Sequence, residues 1–165
     1  MMNPADRAVG SWNELLGVLL EDEDRKKIEW AIGAIIAGGP TKMLVITGPE
    51  KSGKSSILTL MERVIEMHRE EDSLPVAVRR SGASDPDMDR FMLIEDNRPG
   101  LAERWFKIPE RIIEAPTTGH TLTLNNFYLL AGFISSHMGA IATRCLATYR
   151  ELGPNHYDTV RENNK

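Results

Sequence analysis

The chain has 165 residues, 41% of them apolar and 27% charged, and a formal net charge of −4. This length suits one domain with a real core, and the acidic balance argues against a surface coated in nucleic-acid-binding charge, although a local basic patch is compatible with it. The one cysteine, Cys145, excludes an internal disulfide and favours a reducing, cytoplasmic environment. Residues 1–10 lack the apolar core of a signal sequence, and the longest apolar run, residues 31–37, is too short to cross a bilayer, so no membrane partner is predicted.

Two helices are predicted before the first strand, and they form an N-terminal helical segment, residues 1–40. Residues 1–10 are expected to be a loose leader, because Ser11 and Glu14 fit a capping box that would start the first helix after them. The second helix would follow the acidic residues 21–24 and pack one apolar stripe against the sheet that follows. That stripe consists of Ile28, Ala31, Ile32, Ile35 and Ile36.

The sharpest motif lies between a short apolar strand, Met43 to Thr47, and a helix predicted from Lys54 to about Arg69. The connecting loop and the first helical turn read GPEKSGKSS. This run matches G-x-x-x-x-G-K-[ST] at all four fixed positions, which are Gly48, Gly53, Lys54 and Ser55.

Each fixed position of this motif has a role in binding phosphate. The glycines let the chain turn and let backbone N–H groups close around phosphate oxygens, while the positive end of the helix points at the same anion. Lys54 would reach the outer phosphates, and the Ser55 hydroxyl would bind Mg²⁺. The motif resembles the Walker A loop of P-loop NTPases, which implies ATP and Mg²⁺ as ligands. The nucleotide contacts it predicts are Gly48, Pro49, Glu50, Lys51, Ser52, Gly53, Lys54, Ser55 and Ser56.

An apolar strand that ends in two acids is the second landmark. It spans residues 91–96, FMLIED, and follows a strand predicted from Leu74 to Arg80 and a polar loop. In P-loop enzymes such a strand lies near the Walker A strand, and its acids hold the Mg²⁺ shell and orient the attacking water. Glu95 precedes Asp96 here, whereas the common order has Asp first, so either acid could take either role.

The rest of the chain is less regular. A short amphipathic helix is predicted at residues 101–106, helix or strand at residues 108–115, and a turn into a β-rich segment at residues 117–123. Residues 128–134 could be a buried strand or the start of the helix that is predicted from about Ser136 to Leu152. The expected organisation is a helical segment, a P-loop NTPase core at residues 41–153 and a frayed polar tail at residues 154–165.

The first half of the chain also resembles one group of P-loop motors. The helix segment IEWAIGAII, residues 28–36, followed by a strand and GPEKSGKSS, is similar to the motor core of superfamily-three helicases, the AAA+-like ATPases of phage and plasmid primase–helicases. The resemblance covers about Leu15 to Asp96. It implies an α/β fold with a mainly parallel sheet flanked by helices, a homo-oligomeric ring, and ATP-driven movement on single- or double-stranded DNA in phage or mobile-element replication.

The resemblance extends less fully into the second half. Residues 118–123 would correspond to the segment that carries the DNA-facing loop, and residues 127–136 to the sensor strand. That strand usually ends in Asn, whereas Ser135 or Ser136 stands here. Arg144 would be the arginine finger that acts on the nucleotide of a neighbouring subunit; the alternative is a solvated or salt-bridged helix residue.

Three functions therefore follow from the sequence. The first is an ATP-binding and ATP-hydrolysing motor or switch, with Lys54, Glu95, Asp96 and Arg144 in catalytic roles, Ser55 and the two acids at Mg²⁺, and a protein partner that supplies DNA recognition. The second is a kinase for a nucleotide or another small molecule, which would need an arginine-rich lid over the phosphates. The third is a non-catalytic nucleotide-binding scaffold subunit.

Overall fold

The computed structural model describes residues 3–40, 42–68, 77–79, 92–96 and 112–158. These residues form a mixed α/β fold with a parallel sheet, which confirms the expected fold class at that level. In chain order its elements are α1 (Pro4–Leu19), α2 (Asp22–Ala37), β1 (Met43–Thr47), α3 (Lys54–His68), β2 (Ala77–Arg79), β3 (Met92–Asp96), β4 (Ile112–Pro116), α4 (Leu124–Ser136) and α5 (Met138–Leu152).

The described strands pair in the order β2-β3-β1-β4, and every pairing is parallel. All five residues of β1 are buried, as expected for a central parallel strand with both faces covered. The register aligns Thr47 of β1 with Asp96 of β3 on one side and with Pro116 of β4 on the other. The carboxyl ends of three strands therefore meet at one edge of the sheet, where the glycine-rich loop begins.

The helices join this sheet through one hydrophobic core that contains residues of all five of them. Helix α2 packs against β4 and α3 packs against β3, while α5 contacts both α2 and α3. Helix α4 packs against α1. Within the described residues, no single helix combines the length and the apolar composition needed to cross a bilayer, although α4 and α5, which are bent by 83°, would meet that test as a pair.

The first helix begins earlier than the sequence predicted, so the expected loose leader and the capping box at Ser11 are wrong. Asn3 caps α1, its side-chain oxygen accepting a hydrogen bond from the Ala5 N–H at 2.9 Å, and Pro4 occupies the first turn, where proline is tolerated. Ser11 is buried inside the helix. Ala8 extends the apolar stripe by one turn towards the N-terminus, and this burial favours the earlier start.

The ambiguous second half is resolved in two places. Residues 112–116 are a strand, while residues 124–136 are a helix, so the sensor strand predicted at 127–136 is wrong. Thr123 caps this helix by accepting a hydrogen bond from the Asn126 N–H at 3.2 Å. Leu130 and Ile134, one helical turn apart, are its buried residues.

The predicted β-rich character of residues 117–123 reduces to a single antiparallel bridge between Thr117 and Leu20. The short helix predicted at 101–106 lies outside the described residues, as do residues 74–76, 80 and 91 of the two predicted strands.

The beginning of the predicted frayed tail docks on the domain, so that prediction is wrong for residues 155–158. The Trp30 indole N–H donates to the Gly153 carbonyl at 2.9 Å, and the Tyr157 ring meets the Trp30 ring edge-on with centroids 5.4 Å apart. Lys42 forms an ion pair with Asp158 at 2.7 Å. Burial raises the pKa of Tyr157 to about 12, which agrees with its packed position.

Candidate phosphate-binding site

The glycine-rich loop, residues 48–53, leaves the buried end of β1 and leads into α3. Its first glycine, Gly48, has a φ of +150°, and a methyl group there would collide with the Thr117 hydroxyl and lie 2.9 Å from the Ser52 hydroxyl oxygen. Its last glycine, Gly53, has a φ of +91°, and a methyl group there would lie 2.9 Å from a methyl of Leu19. The positive φ therefore favours glycine at these two fixed positions, and a methyl group there would also force neighbouring side chains to shift.

The loop is fixed at both ends by backbone hydrogen bonds. The Gly48 N–H donates to the Asp96 carbonyl at 3.2 Å, which ties the start of the loop to the end of β3. The Ile57 N–H donates to the Gly53 carbonyl at 3.0 Å, which starts the hydrogen-bond ladder of α3. The N–H groups of the first turn of a helix have no intrahelical acceptor, so the positive end of this 15-residue helix faces the loop.

Lys54 closes the loop from inside. Its ammonium donates to the carbonyls of Gly48 and Pro49, each at 2.7 Å, and the residue is 5% exposed. Burial lowers the pKa of Lys54, while the negative charges of Glu95, Glu50 and Asp96 act in the opposite direction. The two loop carbonyls therefore hold the side chain in the centre of the loop, where a phosphate oxygen would need a donor.

Ser55 and Glu95 meet beside this lysine. The Ser55 hydroxyl donates to a carboxylate oxygen of Glu95 at 2.7 Å, and Glu95 is 6% exposed. Pairing between β1 and β3 brings them together, because it sets Glu95 opposite Ile46 near the start of the loop. A hydroxyl and a carboxylate are the hard oxygen ligands that Mg²⁺ prefers. Magnesium usually keeps several waters, so two protein oxygens fit such a site.

The two acids, whose roles the sequence left open, differ in their contacts. Successive residues of a strand point to opposite faces of the sheet, so only one of Glu95 and Asp96 can face Ser55. Glu95 makes that contact, whereas Asp96 is a buried acid whose backbone carbonyl receives the first loop N–H. Groups of three metal-ligating His, Cys, Asp or Glu side chains are not found within the described ranges.

A cavity of about 590 Å³ opens beside the loop. Its loop wall contains seven residues that the sequence predicted, whereas Gly48, Pro49, Ser52 and Asp96 do not line it. The seven are Glu50, Lys51, Gly53, Lys54, Ser55, Ser56 and Glu95.

The rest of the cavity lining was not predicted, and it consists of Leu19, Thr121, Leu122, Leu124, Phe127 and Tyr128. The one sequence signal for this wall is an apolar helix, α4, that buries few of its residues: Leu130 and Ile134 among the thirteen. Only the tertiary fold brings these residues beside the loop, so the spacing of residues in a motif could not predict them.

Arg144, the predicted arginine finger, lies on α5 and does not line the cavity. Its guanidinium forms an ion pair with Glu29 at 3.6 Å, and its side chain is 35% exposed whereas that of Glu29 is 2% exposed. Glu29 also accepts hydrogen bonds from the Trp12 indole at 2.9 Å and from the Thr148 hydroxyl at 3.1 Å. This network joins α1, α2 and α5 and gives Arg144 a structural partner within its own chain.

Comparison with protein-family models, with curated proteins and with solved structures finds no match to this chain.

Proposed function

We propose that this chain is a P-loop NTPase that binds ATP together with Mg²⁺ and hydrolyses it. The observation that carries the proposal is the contact between the Ser55 hydroxyl and the Glu95 carboxylate, 2.7 Å long, beside the buried Lys54. A G-x-x-x-x-G-K-S loop that merely turns between a strand and a helix has no need for a carboxylate on its serine. The same contact is expected where a loop serine and a strand acid share a magnesium ion.

The roles of the residues follow from their positions. The N–H groups of the loop and of the first turn of α3 bind phosphate oxygens, and Lys54 neutralises the outer phosphates. Ser55 and Glu95 would hold Mg²⁺ and its bound waters. When bound, Mg²⁺ is a Lewis acid that draws negative charge from the phosphates. Asp96 supports the loop through its carbonyl and is the second acid available to position water.

The motor form of the proposal, a ring that moves on DNA with Arg144 acting on a neighbour, is supported by the segment IEWAIGAII and the loop. The helix at residues 124–136 argues against it, since the resemblance implied a sensor strand there. The ion pair of Arg144 with Glu29 gives that arginine a second, intramolecular role. Nucleotide hydrolysis is therefore the proposed core activity. Whether DNA stimulates that hydrolysis is the question that the experiment below answers.

The experiment measures steady-state ATP hydrolysis and Mg²⁺–ATP binding with and without single-stranded DNA. It compares the native chain, Lys54→Ala and the control Lys26→Ala, which removes a half-exposed lysine on α2. We expect turnover in the native chain and the control, and its loss in Lys54→Ala with the melting temperature still showing a folded protein. DNA-stimulated turnover with assembly in sedimentation supports the motor.

The other outcomes separate the alternatives. Turnover that requires an added nucleotide or metabolite acceptor, and not DNA, identifies a kinase. Binding without turnover under every condition identifies a scaffold. A folded native chain that binds neither ATP nor GTP in the presence of Mg²⁺ refutes the proposal altogether.

A further inference from the structure

The part of the cavity lining that lies outside the loop wall has a chemistry of its own. Apart from Thr121 and the hydroxyl of Tyr128, its side chains are apolar or aromatic. We call it the apolar wall, and it consists of Leu19, Thr121, Leu122, Leu124, Phe127 and Tyr128. The loop wall carries the phosphate-binding groups, so one cavity joins a charged half and an apolar half.

The apolar wall leaves large side chains open to the cavity and to water. Leu124 is 66% exposed and Tyr128 is 64% exposed, whereas Leu130 and Ile134 of the same helix are buried. The rings of Phe127 and Tyr128 lie 5.7 Å apart and are inclined at 63° to each other, and both residues line the cavity. Exposed aromatic groups at a cavity mouth are costly in water and point to an apolar ligand.

Contacts with the end of α1 hold the apolar wall at a set distance from the loop. The Thr118 hydroxyl donates to the Val18 carbonyl at 2.8 Å, and the Thr118 N–H donates to the Leu19 carbonyl at 3.0 Å. Leu19 in turn packs on Gly53 of the loop. The segment before α4 is therefore hydrogen-bonded to Leu19, the residue that also contacts the glycine-rich loop.

We propose that the apolar wall binds the base of the nucleotide whose phosphates lie in the loop, and that it does so by stacking and apolar contact. This inference rests on the proposed function. A cavity of about 590 Å³ is in the range of sites for whole cofactors and exceeds what a phosphate group alone would fill. Within the described lining, the apolar wall offers two hydroxyls and neither an amide nor a charged group, so it has little means to read the base edge.

Stacking without edge readout has consequences for specificity. Every base presents a π face, so such a wall accepts all of them and favours the larger purines. ATP and GTP should bind with similar affinity, and UTP more weakly. Removing the ring of Tyr128 should weaken nucleotide binding about tenfold without affecting binding of the phosphate chain.

The experiment titrates ATP, GTP, UTP and inorganic tripolyphosphate, each with Mg²⁺, into the native chain, Tyr128→Ala and Leu129→Ala by calorimetry. Leu129 is the matched control because it is 58% exposed on the same helix and does not line the cavity. We expect Tyr128→Ala to lose about tenfold in ATP affinity with its tripolyphosphate affinity unchanged. Leu129→Ala should match the native chain for both. Because Tyr128 is mostly exposed, the variant is expected to fold, and far-ultraviolet circular dichroism checks this.

Each result has a distinct meaning. Equal loss of ATP and tripolyphosphate affinity in Tyr128→Ala, or no loss of either, overturns the inference while the proposed function stands. A preference for ATP over GTP greater than about tenfold that survives in Tyr128→Ala also overturns it, since stacking is sequence-tolerant. Failure of the native chain to bind tripolyphosphate and all nucleotides refutes the proposed function, and the inference with it.

Discussion

Side-chain alternation along β3 decides which of two adjacent acids serves the loop. Glu95 accepts a hydrogen bond from Ser55, whereas the backbone of Asp96 holds Gly48. The sequence could not separate them, because their order departs from the common one and both precede a loop. Pairing of β3 directly beside β1 supplies the missing information.

Glu95→Gln tests this assignment. It keeps the size of the side chain and removes the charge that faces Ser55, so the Mg²⁺ concentration needed for half-maximal ATP binding should rise about 10- to 100-fold, the usual effect of altering a group that orients a metal ligand. Asp96→Asn is the matched control and should raise the Mg²⁺ concentration for half-maximal ATP binding far less. Titration of Mg²⁺ at fixed ATP measures both. A larger effect for Asp96→Asn would reverse the assignment.

Arg144 offers a second residue whose two roles can be separated. Replacing it by Met leaves the buried Glu29 carboxylate with its Trp12 and Thr148 donors alone, and should lower the free energy of unfolding by about 1–2 kcal/mol, a value reduced because the arginine is partly exposed. In a Glu29→Gln background the same change should cost less than about 0.5 kcal/mol.

Urea denaturation of the four proteins in this cycle measures the coupling between Arg144 and Glu29. ATP turnover per folded molecule is the second readout. An arginine finger would instead lose about 10³-fold or more in turnover in both backgrounds, with the free energy of unfolding unchanged. That result would restore the role that the family resemblance implied.

The glycine-rich loop was predictable from the sequence and the apolar wall was not. Gly48, Gly53, Lys54 and Ser55 lie within eight consecutive positions, so local spacing reports them. Tyr128 reaches the same cavity from 73 positions beyond Ser55, and only the packing of α4 against α1 brings it there. Glu95 also comes from a separate element, but it was predictable because an apolar strand ending in acids is a pattern of its own, whereas α4 carries no such pattern.

At the scale of elements, α2 and α5 approach each other closely at Gly33. Gly33 of α2 faces the backbone of Cys145 and the Cβ of Tyr149 on α5, and a methyl group at Gly33 would lie 2.6 Å from that Cβ and would also meet the Cys145 carbonyl. Neither neighbour is a flexible side-chain end. The close approach of the two helices therefore requires glycine at position 33, because any larger side chain would collide with α5.

Gly33→Ala should lower the free energy of unfolding by about 1–3 kcal/mol, because the two helices must move apart. Gly17→Ala is the control: this glycine of α1 has nothing within 4 Å of an added methyl group, so the change should raise stability by about 0.5–1 kcal/mol through helix propensity alone. Urea denaturation of both variants measures the contrast. Equal effects of the two substitutions would contradict the close crossing.

The elements that were predicted well have strong local signals. Strand β1 and the start of α3 are fixed by the motif, and α2 ends where its glycines begin. Residues 128–134 stay open between strand and helix at the level of sequence, because their apolar run is too short for its period to separate the two. The predicted start of α1 is wrong because Ser11 and Glu14 match the pattern of a helix cap. The actual cap is Asn3, eight positions earlier and followed by Pro4.

At the scale of the whole molecule, residues near the C-terminal end of the described chain pack at the end of the sheet away from the glycine-rich loop. Lys42, just before β1, is 4% exposed and pairs with Asp158, while Trp30 of α2 packs against Tyr157. The last described residues therefore connect the start of the central strand to α2. This connection stabilises the domain without touching the cavity.

A chain that ends at Pro154 should consequently be less stable than one that ends at Asp158. Burial of the Tyr157 ring and its edge-on contact with Trp30 together suggest a difference of about 2–3 kcal/mol in the free energy of unfolding, measured by urea denaturation. Tyr157→Ala in the full chain should reproduce most of it, whereas Asp158→Asn should cost less because Asp158 is half exposed.

Nucleotide binding distinguishes this role from a role in the site. Because the connection lies at the opposite end of β1 from Gly48, ATP affinity measured well below the melting temperature should be the same for the two shortened chains. If the chain ending at Pro154 unfolds at the same urea concentration as the chain ending at Asp158, the docking of residues 155–158 contributes nothing to stability. If it is equally stable but binds ATP more weakly, those residues act on the glycine-rich loop and not on the core.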